Sequence, residues 1–178
     1  MATVALTRIA ESVERIATTI ARWVRRDANV VGSRTFPRKL QRDGWSCGSR
    51  STQAIALHFD RDVRHREVME RVGTTKDGTA TTPIVRYLRK LGLRAGYHRR
   101  MSFRQLVQAL ARGAVVLVDL EGIHWGVVHA ASDDHVWLAD PSIEQLGRRI
   151  TKARFRSRWT GLGVIVSKRV GRRRRRRA

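Results

Sequence analysis

The pattern of apolar residues changes near residue 113, and this change limits the folds open to the chain. Before it, apolar residues recur every three or four positions, as in amphipathic helices. After it come "AVVLVDL" (residues 114–120), which predicts a buried strand, and the runs "HWGVVHA" and "HVWLAD" separated by "ASDD", which predict a hairpin. Because helices come first and antiparallel strands follow, we predict an α+β fold.

Capping residues bound several of these elements. A helix is expected to begin at Cys47, and "REVMERVG" predicts a second helix. Thr82 is expected to cap a third helix whose first residue is Pro83. Ser102 and Gln105 predict a capping box for the helix "FRQLVQALAR", while "LRAGYHR" and "TGLGVIVSK" predict two further strands.

The composition is that of a strongly basic globular protein. The chain has 37 Lys and Arg against 15 Asp and Glu, a net charge of +22, and 42% of its residues are hydrophobic, which is enough for a packed core. A single cysteine excludes an internal disulfide and a multi-cysteine zinc site. We therefore expect no metal and no cofactor.

Three segments differ in composition. Residues 1–28 carry apolar residues at helical spacing and predict an amphipathic helix, which packs on the domain or on a second copy of the chain, or binds a membrane surface. Residues 38–168 form the predicted main domain. Residues 169–178 predict a disordered tail, since a run of like charges repels itself. The basic side chains of that tail are Arg172, Arg173, Arg174, Arg175, Arg176 and Arg177.

Two explanations of the tail remain open at this point. One is contact with a polyanion, either a nucleic acid or an anionic surface. The other is solubility combined with coding bias, since only five of the 37 basic residues are Lys. No apolar run is long enough to span a membrane, and the N-terminus lacks the pattern of a secretory signal. We expect a cytoplasmic protein that can associate with nucleic acid or with a larger particle.

The lone cysteine, Cys47, is either a small core residue or a nucleophile. It lies in "GWSCGSRS", where a loop is expected to become a helix, and a helix N-terminus favours the thiolate. The flanking residues Gly44 and Gly48 allow the close backbone turns that such a junction needs. A nucleophilic thiol also requires a histidine base and donors for the developing oxyanion.

His124 is the best candidate for the base, and Asp140 for the residue that orients it. His124 begins one predicted hairpin strand, and Asp140 ends the other, sixteen residues later. With an odd-numbered loop the two residues face each other on one face of the sheet. A four-residue loop places them on opposite faces unless a bulge restores the register. Gln41, six residues before Cys47, could donate its side-chain amide to an oxyanion alongside the Cys47 backbone N–H.

These residues, taken together, resemble the papain-like cysteine peptidases of the C39, or bacteriocin-processing, type. The resemblance covers residues 38 to about 168 and rests on Gln41, "GWSCGS", "HWGVV" and "ADP" in that order. It implies a papain-like fold in which Cys47 attacks, His124 is base and then acid, Asp140 orients His124 and Gln41 supplies the oxyanion hole. It also implies a peptide or protein substrate, cut in many members after a Gly-Gly pair of a leader peptide.

The sequence departs from the family pattern beside the cysteine. Ser46 stands where an acidic residue commonly precedes it, and Ser49 and Arg50 stand where small apolar residues usually follow the Cys-Gly pair. Two classes of function are therefore weighed. The first is a thiol peptidase. The second is a binding module, either a degenerate peptidase that holds a peptide or a basic protein that coats nucleic acid.

Overall fold

An antiparallel sheet with helices on both faces organises the chain. The computed structural model describes residues 13–15, 29–142 and 148–169. Seven strands belong to the sheet, namely β1 (Val31–Gly32), β2 (Leu93–His98), β3 (Val115–Leu120), β4 (His124–Ala131), β5 (His135–Ala139), β6 (Arg148–Thr151) and β7 (Trp159–Lys168). Their order is β2-β7-β3-β4-β5-β6, and the short strand β1 pairs with β4.

Five helices with defined bounds connect and cover these strands. They are α1 (Cys47–His58), α2 (His65–Val72), α3 (Thr81–Lys90), α4 (Phe103–Ala111) and α5 (Lys152–Arg158). Residues 13–15 are also helical, while the rest of the helix predicted over residues 1–28 lies outside the described residues. No helix in the described part of the chain is long and apolar enough to cross a membrane.

Two apolar clusters, one on each face of the sheet, form the core. The first joins α1, α2 and α3 to side chains such as Leu117 and Val164. The second joins α4 and α5 to the alternate side chains, including Val116 and Val118. Successive side chains of a strand point to opposite faces. The central strand β3 is therefore apolar at nearly every position because helices cover both of its faces.

The α+β prediction is confirmed, and most element positions agree with it. The capping box predicted at Ser102 and Gln105 is present. The cap predicted at Thr82 is wrong, because the helix begins at Thr81 and Ala80 occupies its N-cap without a side-chain hydrogen bond. Pro83 lies within the first turn, where backbone N–H groups lack helical partners and a missing donor costs little.

Candidate active site

Cys47 is the first residue of α1, and a short polar loop fixes the path of the backbone into this helix. The Asp43 carboxylate accepts backbone N–H bonds from Trp45 at 3.0 Å and from Ser46 at 2.7 Å. Burial acts to raise the pKa of Asp43, but hydrogen bonds from Trp45 and Ser46 outweigh it and leave the pKa below its ordinary value. The loop therefore delivers Cys47 to the helix start in a defined orientation.

Gly48 lets the start of α1 lie against the strand that carries His124. A Cβ atom on Gly48 would lie 2.7 Å from Cβ of Thr79 and 3.0 Å from Cδ1 of Trp125. Trp125 donates its ring N–H to the Thr79 carbonyl at 3.0 Å, and its own carbonyl accepts from Ser51 at 3.3 Å. Only a residue without a side chain permits this contact, which places Cys47 beside the beginning of β4.

His124 and Asp140 meet directly. Nε2 of His124 lies 2.7 Å from Oδ1 of Asp140, and the two side chains are 16% and 2% exposed. Asp140 Oδ1 also accepts from the backbone N–H and the hydroxyl of Ser142, at 3.0 and 2.7 Å. Burial alone would raise the pKa of Asp140, but the bonds to His124 and Ser142 lower it to about 2. Asp140 is therefore a carboxylate at neutral pH.

A β-bulge at His129 brings the pair onto one face of the sheet. Next to the loop, Ala131 pairs with Val136; beyond the bulge, the register has shifted and Val127 pairs with Ala139. Continuing that register by one residue puts Asp140 opposite Gly126, two positions from His124 on the same face. Four residues separate the paired residues Ala131 and Val136, so the hairpin follows the second alternative drawn from the sequence, in which a bulge corrects the register.

The segment next to β1 holds this bulge in place. His129 accepts a backbone N–H from Ser33 at 2.8 Å, and its ring Nδ1 lies 2.7 Å from the Ser33 carbonyl. Gly32 has φ +91°, and a Cβ atom there would lie 2.4 Å from the His129 carbonyl oxygen. His129 is buried and its ring stacks on Phe36. Its role in the structure is therefore to lock the hairpin register.

The electrostatics of Cys47 and His124 are coupled. Burial acts to raise the pKa of Cys47, but the hydrogen bond and charge of His124, with the backbone of Trp125, bring it below its ordinary value. Burial acts to lower the pKa of His124, but its bonds to Asp140 and Cys47 raise it to about 9. Both shifts favour a thiolate beside an imidazolium, which is the reactive state of a nucleophilic cysteine.

Gln41 links the loop before Cys47 to the segment after β5. Its backbone N–H donates to the Pro141 carbonyl at 2.9 Å, and its side-chain amide donates to the Asp43 carbonyl at 2.7 Å. Its Oε1 is buried without a hydrogen-bond partner. These contacts fix Gln41 between the element that carries Cys47 and the one that carries Asp140.

Ser49 and Arg50 have structural explanations. Ser49 is buried, and its hydroxyl lies 3.1 Å from Nε2 of His65 at the start of α2. Arg50 donates to Gln53 at 3.3 Å. Burial and the charge of Arg50 lower the pKa of His65 to about 4, so His65 is neutral at neutral pH. Ser49 thus serves the packing of α1 on α2, whereas the hydrogen bond of Arg50 lies within α1.

The sequence singled out Cys47, His124, Asp140 and Gln41 but not the residues that support them. Asp43, Thr79 and Ser142 were not singled out, although "DP" followed by Ser is a recognisable Asx-type turn. The arginines of the predicted tail lie outside the described residues. Within the described ranges, no group of three or more His, Cys, Asp or Glu side chains is arranged to hold a metal ion.

This fold, with a cysteine at a helix start packed on an antiparallel sheet, is that of the papain-like cysteine peptidases. The family model described as the peptidase C39 family matches residues 35–171, so the chain belongs to that family and is a cysteine peptidase. The lactococcin-G-processing and transport ATP-binding protein LagD of Lactococcus lactis subsp. lactis is 26% identical over 124 residues. That match covers 68% of this chain but only 17% of LagD.

Solved structures agree on the fold. A double glycine motif protease from an AMS/PCAT transporter, in complex with the leader peptide, has a TM-score of 0.66 at 19% identity, covering 78% of this chain and 95% of that one. The peptidase domain of Streptococcus ComA has a TM-score of 0.66 at 22% identity, covering 77% and 100%. A C39-like peptidase from Bacillus anthracis reaches 0.68 at 13% identity, covering 79% and 98%.

Proposed function

We propose that this peptidase hydrolyses peptide bonds with Cys47 as nucleophile, His124 as proton carrier and Asp140 as the residue that orients His124. The observation that carries the proposal is the position of His124 between two partners. Its Nε2 is 2.7 Å from Asp140, and its interaction with the thiol lowers the pKa of Cys47. Because Nε2 is taken by Asp140, Nδ1 is the ring nitrogen that serves the thiol.

The chemistry follows the general course of acyl transfer to a thiol. The Cys47 thiolate adds to the carbonyl carbon of the scissile bond, and the carbonyl electrons move onto oxygen. As the C–N bond breaks, the imidazolium of His124 protonates the leaving amine, and a thioester remains on Cys47. Water then gives a proton to neutral His124 and attacks the thioester, which releases the acid product and restores the thiolate–imidazolium pair.

The tetrahedral oxyanion needs donors, and Gln41 together with the Cys47 backbone N–H is proposed to supply them. N–H groups in the first turn of a helix lack helical partners, so the N–H of Cys47 is free to serve in this way. One proton of the Gln41 amide is committed to the Asp43 carbonyl, which orients the second proton. Removal of one such donor costs about a hundredfold or more in kcat.

Cleavage after small residues such as Gly-Gly is the proposed specificity. Thr79 and Trp125 pack so closely against Gly48, the residue after Cys47, that no side chain fits at that position. The names of two relatives point the same way, since one is a double glycine motif protease with a bound leader peptide and the other processes lactococcin G. A leader-type peptide is therefore the proposed substrate.

Alkylation with iodoacetamide at mildly acidic pH tests the reactive pair. Cys47 should react much faster than a model thiol at pH 6, because His124 maintains the thiolate. The variant His124→Ala should react at the rate of a free thiol, whereas His98→Ala, on an exposed strand end, should behave like the wild type. A wild-type rate no higher than that of the model thiol would remove Cys47 from the role of nucleophile.

A further inference from the structure

A second concave surface lies at the β2 end of the sheet, beyond the part that α4 covers. It is a groove of about 810 Å³ between α4 and the strands β2 and β7, of which β2 is the edge strand. We call it the arginine groove. The polar residues that define it are Arg89, Arg94, His98, Gln105, Gln108, Arg112, Ser167 and Arg169.

The charge of the arginine groove is uncompensated. Its four arginines are exposed, and no acidic residue lines the groove within the described chain. Elsewhere basic side chains reach carboxylates: Lys168, the residue before Arg169 and on the other face of the strand, lies 2.7 Å from Asp60. In the groove, Arg89 donates to the Ala95 carbonyl at 2.9 Å, and no carboxylate of the described residues lines the groove beside it.

The amino-acid sequence explains why the groove has basic but no acidic residues within the described chain. Residues 78–118, which include β2 and α4, contain eight Lys and Arg and no Asp or Glu. Residues 145–178, which include β7, also contain no Asp or Glu. The groove forms where these two segments meet, so its charge reflects two separate stretches of the chain rather than one local cluster.

The shape and lining of the groove favour one kind of anion. Its floor contains small or aliphatic residues, among them Gly96, Ala109 and Ile165, and among its described lining residues His98 alone carries an aromatic ring. Single-stranded nucleic acid is usually held by stacking on aromatic side chains. Duplex DNA is usually read by convex elements that enter its grooves, whereas this surface is concave. Guanidinium groups bind carboxylates through paired hydrogen bonds, which suits an extended acidic peptide.

We propose that the arginine groove binds an acidic segment of the peptide substrate, an inference that rests on the proposed peptidase function. Three strand spacings, or about 14 Å, separate β2 from β4. They are crossed by a row of paired residues, namely Gly96, Ile165, Val116 and Val128. Val128 is four residues, or about 13 Å, along β4 from His124. The groove therefore lies about 20 Å from His124, and at least about six extended residues separate the acidic segment from the scissile bond.

Binding without turnover tests the groove by itself. The probe is a fluorescein-labelled peptide of ten Glu residues, titrated by fluorescence anisotropy against the full chain carrying Cys47→Ala. Addition of Arg94→Ser and Arg112→Ser should weaken binding about tenfold, since two arginine–carboxylate contacts are lost. The matched control adds Arg154→Ser and Arg156→Ser on α5, which removes the same charge from exposed positions outside the groove.

The outcomes separate the groove from its alternatives. If the groove variant binds the peptide as tightly as the protein with Cys47→Ala alone, the proposal is overturned and other basic residues bind the peptide. The same conclusion follows if the α5 control loses as much affinity as the groove variant. A DNA duplex of the same net charge as the peptide provides a further comparison. The proposal would be overturned in favour of nucleic acid if the duplex bound more tightly than the peptide and if only the groove variant lost affinity for the duplex. None of these results depends on turnover by Cys47.

Turnover then connects the groove to the peptidase. With Cys47 intact, the groove variant should show a KM about tenfold higher for a substrate with an acidic segment at least about six residues from the cleaved bond, and an unchanged kcat. A neutral substrate of the same length should show no change. An equal rise in KM for both substrates would refute recognition of the acidic segment, while loss of all cleavage would instead point to the site at Cys47.

Discussion

Replacing Asp140 by Asn should separate the orienting carboxylate from the rest of the site. The substitution keeps the size of the side chain but removes the charge that stabilises the His124 imidazolium. The pKa of His124 is about 9, against an ordinary 6.5, and the difference of about 2.5 corresponds to about 3 kcal/mol. Asp140 and Cys47 share this stabilisation, so we expect Asp140→Asn to lower the pKa of His124 by at least one unit.

The pH dependence of Cys47 alkylation measures this change. In the wild type, alkylation should already be fast at mildly acidic pH, because the imidazolium of His124, whose pKa is raised to about 9, stabilises the Cys47 thiolate. In Asp140→Asn, the imidazolium is less stable, so the alkylation rate at pH 6 should fall and fast alkylation should begin at a higher pH. In the same variant kcat/KM should fall by about a hundredfold or more while some activity remains. The control is Asp133→Asn, an exposed acid on the same hairpin. A profile and a kcat/KM equal to those of the wild type would refute the role of Asp140.

Three further predictions concern the supports of the site. Gly48→Ala should destabilise the protein by about 1–3 kcal/mol and reduce turnover, because the new Cβ meets Thr79 at 2.7 Å; denaturant unfolding and peptide cleavage measure the two effects. Gly32→Ala should be at least as destabilising, because φ is +91° and the new Cβ meets the His129 carbonyl, and it should also slow alkylation of Cys47 by disturbing the bulge. The depressed pKa of Asp140 contributes about 2 kcal/mol of stability above pH 4, which should be lost as the pH falls through about 2 and should be absent in Asp140→Asn.

Matched variants give each of these predictions a control. Gly44→Ala has nothing within 4 Å of its new Cβ, and Gly73→Ala has a positive φ but equally open surroundings. If Gly48→Ala costs no more stability than Gly44→Ala, the close contact at the start of α1 is not a constraint. If Gly32→Ala alters Cys47 reactivity no more than Gly73→Ala, the bulge does not set the site. Identical acid unfolding of wild type and Asp140→Asn would contradict the carboxylate account.

Patterns confined to one element were predictable, because they depend on neighbours along the chain. The capping box at Ser102 and the run of β3 are of this kind, and the structure contains both. The helix α5 and the strand β6 were missed. They span only seven and four residues, and their stability comes from packing, such as the burial of Phe155, rather than from periodicity.

The relative orientation of His124 and Asp140 could not be predicted from the sequence. Both residues could be chosen from the sequence, yet the loop length left their relative faces undecided. The register depends on the bulge at His129, which is set by Gly32 and Ser33, nearly one hundred residues earlier in the chain. A contact of that sequence separation leaves no local signal. The supports of Cys47, namely Thr79 and Trp125, were hidden for the same reason.

The cleavage of a peptide library by the full chain tests the central claim most directly. The library contains leader-type peptides in which the two residues before the scissile bond vary, and mass spectrometry identifies the products. We predict cleavage after Gly-Gly and other small pairs, with none by Cys47→Ala, whose melting temperature should stay close to that of the wild type. Cleavage that persists in Cys47→Ala, or a wild-type protein that cuts no member of the library, would contradict the account.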